Sequence, residues 1–120
     1  MTDIQTREDL HLLMREFYKK LLSDSKISFI FTQIAKIDLE PHLLDLVDFW
    51  EQILFDRGSY QKNVMQIHLD LNQQSKLSEE HFAIWLHYFN TTIDENFAGQ
   101  IAENMKTRAL SIATVMKIKM

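Results

Sequence analysis

The chain has 120 residues, no cysteine and a formal net charge of −4, which fits one globular domain over residues 1–120. Without cysteine it cannot form disulfide frameworks, thiolate zinc sites or haem attached covalently through a C-x-x-C-H motif. Its acidic balance disfavours nucleic-acid binding, and two glycines with one proline cannot build a P-loop or a dinucleotide-binding fingerprint.

The sequence gives no sign of a membrane or secretory route. No apolar run is long enough to span a bilayer. Asp3, Arg7 and Asp9 lie where a secretory signal would need a basic start and an apolar block. We therefore expect a cytoplasmic protein with no membrane partner.

The first predicted helix begins at Thr6 and ends near Leu22. Thr6 followed by acidic residues is typical of a helix start, because the side-chain oxygen accepts a hydrogen bond from an unpaired amide. Apolar residues then recur every three or four positions: Leu10, Leu13, Met14, Phe17, Tyr18, Leu21 and Leu22. The apolar piece Ile27–Phe31 predicts one or two further helical turns.

The next predicted helix begins after Asp38, with Pro41 tolerated in its first turn. Its apolar stripe consists of Leu39, Leu43, Leu46, Trp50, Ile53 and Leu54. A neighbouring row at helical spacing consists of His42, Leu46, Phe49 and Ile53. This second row predicts that His42 also faces the interior.

A second inward histidine is predicted in the segment Val64–Leu71. If that segment is helical, Tyr60, Val64, Ile67, His68 and Leu71 form one apolar stripe. A buried imidazole needs a hydrogen-bond partner, a role as acid or base, or a metal ion. Taken alone, His68 is more simply a hydrogen-bonded core residue, and both interpretations remain open at this point.

Two more helices complete the predicted all-α fold of about five main helices. One begins at Ser78 and carries the aromatic stripe Phe82, Trp85, Leu86, Phe89, Ile93 and Phe97. The last follows Gly99, and its apolar face consists of Ile101, Met105, Ala109, Ile112, Ala113 and Met116. His81 and His87 lie off the centre of the aromatic stripe, so we expect them at the boundary or the surface.

Several kinds of catalytic or metal site are disfavoured by spacing. A di-iron carboxylate bundle needs two Glu-x-x-His units, and only Glu8 with His11 has that spacing. H-E-x-x-H and G-x-S-x-G motifs are both missing from the sequence. The remaining candidates are two inward histidines, His42 and His68, with Tyr18 and Trp85 on other helices. A flat apolar iron macrocycle could bring all four together, with one imidazole on the iron.

The order and spacing of these residues resemble the truncated haemoglobins, specifically their third group, from about Leu10 to Met116. The matching pieces are Phe17-Tyr18, His42 with Asp48-Phe49-Trp50, Tyr60 eight residues before His68, Phe82-x-x-Trp85-Leu86-x-x-Phe89, Asp94-x-x-Phe97 and Arg108-Ala109-x-x-Ile112-Ala113. The first two groups carry Gly-Gly pairs, and this chain has none.

The resemblance implies a truncated globin fold, a two-over-two helical sandwich around haem b. By it, His68 would be the proximal iron ligand, and Tyr18, His42 and Trp85 would line the distal pocket, the side where a gas binds. Phe31, Leu46 and Phe49 would also contact the haem. It further implies reversible binding and transport of dioxygen, with nitric oxide as another ligand.

Two other functions stay open. The same haem could serve a nitric oxide dioxygenase or peroxidase-like enzyme, which would need an external reductase. Alternatively, the chain is a cofactor-free helical interaction module in which both histidines are core residues. We expect a monomer, and we expect His42 to act as a gate rather than as an iron ligand.

Overall fold

The computed structural model describes residues 1–34, 38–55 and 78–119, and these ranges form helices and no strand. The elements are α1 (Arg7–Leu22), a π-helical turn (Ile30–Ile34), α2 (Leu39–Phe55), α3 (Glu79–Asn96) and α4 (Gln100–Lys119). The predicted all-α class is confirmed. Among the described residues, no helix is both long and apolar enough to cross a membrane.

Two helices begin at the residues that the sequence predicted. At α1, Thr6 Oγ1 accepts a hydrogen bond from the Asp9 amide, and Asp9 Oδ2 accepts one from the Thr6 amide, both at 3.1 Å. At α3, Ser78 Oγ accepts from the His81 amide at 3.2 Å, and His81 Nδ1 accepts from the Ser78 amide at 3.1 Å. Each pair satisfies two amides that the helix leaves without a partner. His81, predicted at the boundary, is half-buried there and completes a cap.

The core forms where α1 packs against both α2 and α3, and α3 packs against α4. The buried residues of α1 are Leu10, Leu13, Met14, Phe17, Tyr18 and Leu21, as the periodicity predicted, whereas Leu22 of the same stripe is half-buried. The predicted stripe of α2 needs a correction, because only Leu43, Val47 and Trp50 are buried. Its other members are half-buried. Relative to the predicted orientation, α2 is therefore rotated about its axis. The rotation buries Val47, which was absent from the predicted stripe.

The short helical piece after α1 is confirmed, although its last turn is π-helical rather than α-helical. Ile27 and Ile30 are buried in this piece, and Phe31 is half-buried. The piece leads the chain from the end of α1 back across the ring of Tyr18.

The N-terminal residues cap the last helix from the opposite end of the chain. The carboxylate of Asp3 accepts hydrogen bonds from the amides of Ile101 at 2.8 Å and Ala102 at 2.9 Å. Gly99 has a φ of +151°, and a Cβ at this position would clash with the Asp3 side chain. Position 99 therefore requires glycine both for its backbone conformation and for space.

Candidate ligand pocket

A hydrogen bond between Tyr18 of α1 and His42 of α2 lies at the centre of the candidate site. Tyr18 Oη and His42 Nε2 are 2.8 Å apart, and the two ring centroids are 5.3 Å apart. Helical spacing predicted that both side chains face inward. The structure brings them into direct contact, so two of the predicted pocket residues form one polar pair.

The Tyr18 side chain is 4% exposed, which governs its ionisation. Burial raises the pKa of the phenol, because the phenolate would lose its hydration in the core. Tyr18 therefore keeps its proton throughout the physiological pH range. A protonated phenol in an apolar surrounding is a hydrogen-bond donor available to a neighbouring acceptor.

Phe31 packs against the ring of Tyr18 and forms a wall beside it. The ring centroids of Phe31 and Tyr18 are 5.4 Å apart, with the planes at 76°. This edge-to-face contact is a favourable arrangement for two aromatic rings. Phe31 is half-buried and Tyr18 is buried, so Phe31 forms the outer part of the wall.

Trp85 of α3 reaches the same cluster through Phe17. The centroid of Phe17 lies 5.4 Å from that of Tyr18 and 5.6 Å from that of Trp85, in edge-to-face contacts. Trp85 also stacks on Phe89 at 5.0 Å with the planes 10° apart. The two predicted donors from α1 and α3 therefore flank one buried phenylalanine.

The remaining predicted residues lie along α2. His42, Leu46 and Phe49 are spaced four and three residues apart and are all half-buried. The Phe49 ring lies 5.2 Å from that of Trp50, which in turn lies 5.5 Å from Phe89. This face of α2 is thus a half-buried apolar row that begins with one imidazole.

The described residues include every predicted pocket residue except one. That residue is His68, predicted as the iron ligand, which lies outside the described residues. Tyr60, predicted on the same apolar stripe as His68, also lies outside them. Within the described ranges, no group of three His, Asp or Glu side chains is placed to hold a metal ion. His87 is exposed on α3, as predicted.

Sequence reasoning missed one polar contact at the edge of this cluster. Tyr88 of α3 donates a hydrogen bond of 2.6 Å to Asp24 Oδ2 in the turn after α1. The sequence indicated only that the first helix ends near Leu22 and that further helical turns begin at Ile27, so no role was predicted for Asp24 between them. An aspartate just before the helical piece Ile27–Phe31 was the available signal, because Asp is a preferred residue before a helix.

Similarity searches point to one group of proteins. The chain is 29% identical over 111 residues to the group 3 truncated haemoglobin Ctb of Campylobacter jejuni subsp. jejuni, covering 90% of this chain and 85% of the relative. The crystal structure of group III truncated haemoglobin from Campylobacter jejuni matches with a TM-score of 0.87 and 25% identity, covering 99% of this chain and 94% of that one. No model of a protein family matches the chain. The truncated globin fold predicted from the sequence is confirmed.

Proposed function

The resemblance of this chain to the group III truncated haemoglobins is confirmed in sequence and in fold, and from that premise we propose that it is a haem protein that binds dioxygen reversibly. Other diatomic gases such as nitric oxide are proposed as further ligands. The observation that carries the proposal is the hydrogen bond between Tyr18 and His42 beside a half-buried apolar wall.

The described residues fit a flat apolar cofactor. Haem needs carbon surface against its faces and edges, and Phe31, Leu46, Phe49 and Trp85 are half-buried side chains packed on the core. We assign these four residues to contact with the haem. Haem b is proposed because the chain has no cysteine for covalent attachment. His68 is proposed as the protein ligand to the iron, on the resemblance alone.

When bound, haem supplies an iron atom that takes up a diatomic gas. Tyr18 holds a proton on Oη, since burial raises the pKa of its phenol. The phenol can donate that proton in a hydrogen bond to a ligand atom carrying partial negative charge. Such a hydrogen bond contributes about 0.5–1.5 kcal/mol and slows escape of the gas. Trp85 is proposed as a second donor through its indole N–H.

His42 is proposed as a gate. It lies in the first turn of α2, and its Nε2 atom is already bonded to Tyr18 Oη at 2.8 Å. Turning the imidazole outward would break this bond, which opposes opening by about 0.5–1.5 kcal/mol. The same bond supports the gate over coordination of iron by His42, because Nε2 would have to give up Tyr18 permanently to bind iron. The cytoplasmic location, the monomeric state and an external reductase stay predictions from the sequence.

Absorption spectra of the ferric, ferrous and oxygenated protein test the proposal. We expect an intense band near the blue edge of the visible, and an oxygenated spectrum that returns to the ferrous one when dioxygen is removed. A protein that stays colourless after addition of haemin would favour the cofactor-free module. Rapid conversion of the oxygenated form to the ferric form in each cycle would contradict reversible binding and favour an enzyme.

A further inference from the structure

We propose that Tyr88 and Asp24 are positioning residues, whose hydrogen bond fixes Phe31 against Tyr18 and thereby tunes the distal pair Tyr18–His42. The tuning part of this inference rests on the proposed function. The positioning part rests only on contacts between described residues, so the two parts can be tested separately.

Asp24 organises the turn that follows α1. Its Oδ1 atom accepts from the Lys26 amide at 2.9 Å, and its carbonyl oxygen accepts from the amides of Ile27 at 3.1 Å and Ser28 at 2.8 Å. Its Oδ2 atom accepts from Tyr88 Oη at 2.6 Å. One residue therefore both starts the helical piece and anchors it to α3.

The hydrogen bond between Tyr88 and Asp24 joins a phenol to a carboxylate. Bonds to a charged acceptor are shorter and stronger than bonds between neutral groups, and 2.6 Å is in the range of such bonds. The contact lowers the pKa of Asp24 and raises the pKa of Tyr88, so the phenol stays protonated and the carboxylate stays ionised near neutral pH. The bond is thus maintained over the physiological range.

A second contact holds the same piece to the same helix. The ring centroids of Phe29 and His81 are 5.8 Å apart, and His81 is fixed in the cap of α3. The piece is therefore attached to α3 at Asp24 and again at Phe29. Two attachment points restrict both its distance from α3 and its rotation.

The position of this piece determines where Phe31 lies. Phe31 follows Phe29 by two residues and packs its ring at 5.4 Å on Tyr18. Tyr18 in turn is bonded to His42. On α3, Tyr88 follows Trp85 by three residues, so both lie on neighbouring parts of one helix surface. Loss of the Tyr88 hydroxyl would free the turn and, through Phe31, loosen the wall behind the phenol.

The test compares three variants of the full chain. Tyr88→Phe removes only the hydroxyl, whereas Asp24→Asn retains an oxygen that can accept from Tyr88. Thr92→Val is the matched control, because Thr92 is buried one turn further along α3 and donates its hydroxyl to the Tyr88 carbonyl at 2.7 Å. This control loses a side-chain hydrogen bond on the same helix without touching Asp24.

Two measurements separate positioning from tuning. The nuclear Overhauser contact between the ring protons of Phe31 and Tyr18 reports on positioning, and it requires no haem. The dissociation rate of dioxygen reports on tuning. In Tyr88→Phe we expect a weaker Overhauser contact and a rate about threefold higher. In Asp24→Asn we expect smaller changes of the same sign, and in Thr92→Val no change in either.

An unchanged Overhauser contact in Tyr88→Phe would overturn the inference, and so would equal changes in Thr92→Val. A weakened contact with an unaltered dissociation rate would overturn the tuning part. If the unmodified chain binds no haem, the proposed function fails, while the Overhauser comparison still decides whether Tyr88 and Asp24 position Phe31.

Discussion

Tyr18 combines a buried ring, a retained proton and a polar neighbour, and together these properties determine what the residue can do. Its ring packs against Phe17 and Phe31, while its hydroxyl meets His42. The sequence predicted the inward direction of Tyr18 and His42, because helical periodicity fixes which face a side chain occupies. It could not predict their hydrogen bond, which depends on how α1 and α2 pack against each other.

Replacing Tyr18 by phenylalanine should speed the release of dioxygen. The substitution keeps the ring that Phe17 and Phe31 contact and removes only the donor, so we expect a rate about two- to tenfold higher. Stopped-flow mixing of the oxygenated protein with a competing ligand measures this rate. The thermal midpoint, measured in parallel, reports any general loss of structure. A rate equal to that of the unmodified chain would mean that Tyr18 does not donate to the ligand.

At the scale of the element, the helix starts show which contacts a sequence can predict. Thr6 and Ser78 were predicted as helix starts because acidic residues follow each of them in the first turn. The structure completes each cap with a residue three positions further along. The cap of α4 was not predicted, because the Ile101 amide donates to the carboxylate of Asp3, which lies 98 positions earlier in the chain. Only the folded chain brings these two segments together.

Substitution of Asp3 by alanine should destabilise the fold measurably. The carboxylate pairs with amides that α4 cannot satisfy itself, and loss of such a cap typically removes about 1 kcal/mol from the free energy of unfolding. Urea unfolding of the unmodified chain and of Asp3→Ala measures the difference. Asp3→Asn is the control, because its amide oxygen can still accept, and we expect a smaller loss.

The difference in free energy of unfolding between the unmodified chain and Asp3→Ala should depend on pH. Burial of Asp3 disfavours its charge, but hydrogen bonds from the amides of Ile101, Ala102 and Ile4 outweigh this, and the pKa of the folded state is lowered. Its stabilisation is therefore complete above the unfolded pKa of about 3.9 and is lost as the pH falls through the folded value. We expect the difference between the chains to shrink in acid, and a difference independent of pH would contradict this assignment.

At the scale of the whole molecule, within the part of the chain that the structure describes, α1 packs against α2 and α3, and α4 packs against α3. Apolar periodicity predicted each of these helices. It misplaced the centre of the α2 contact, since Val47 is buried and Leu46 is half-buried. Both residues are apolar, so only the packing of α1 on α2 decides which of them is covered. The half-buried row is the surface assigned to haem.

Binding of haem should stabilise the whole fold. A ligand that binds only the folded chain raises the free energy of unfolding by mass action, about 2.7 kcal/mol at a free concentration one hundred times its dissociation constant. We expect a higher melting temperature with haem than without it, measured by circular dichroism at equal protein concentration. Coincident melting curves would argue against a haem site between these helices.

The central proposal is that this chain would hold haem through the imidazole of His68, with Tyr18 and His42 facing the bound gas. The most direct test is the absorption spectrum of His68→Gly, recorded before and after addition of free imidazole. The account predicts that the intense absorption band disappears or shifts in the variant, and that added imidazole restores the original band. A variant that keeps its pigment and the unaltered spectrum without imidazole would contradict the account.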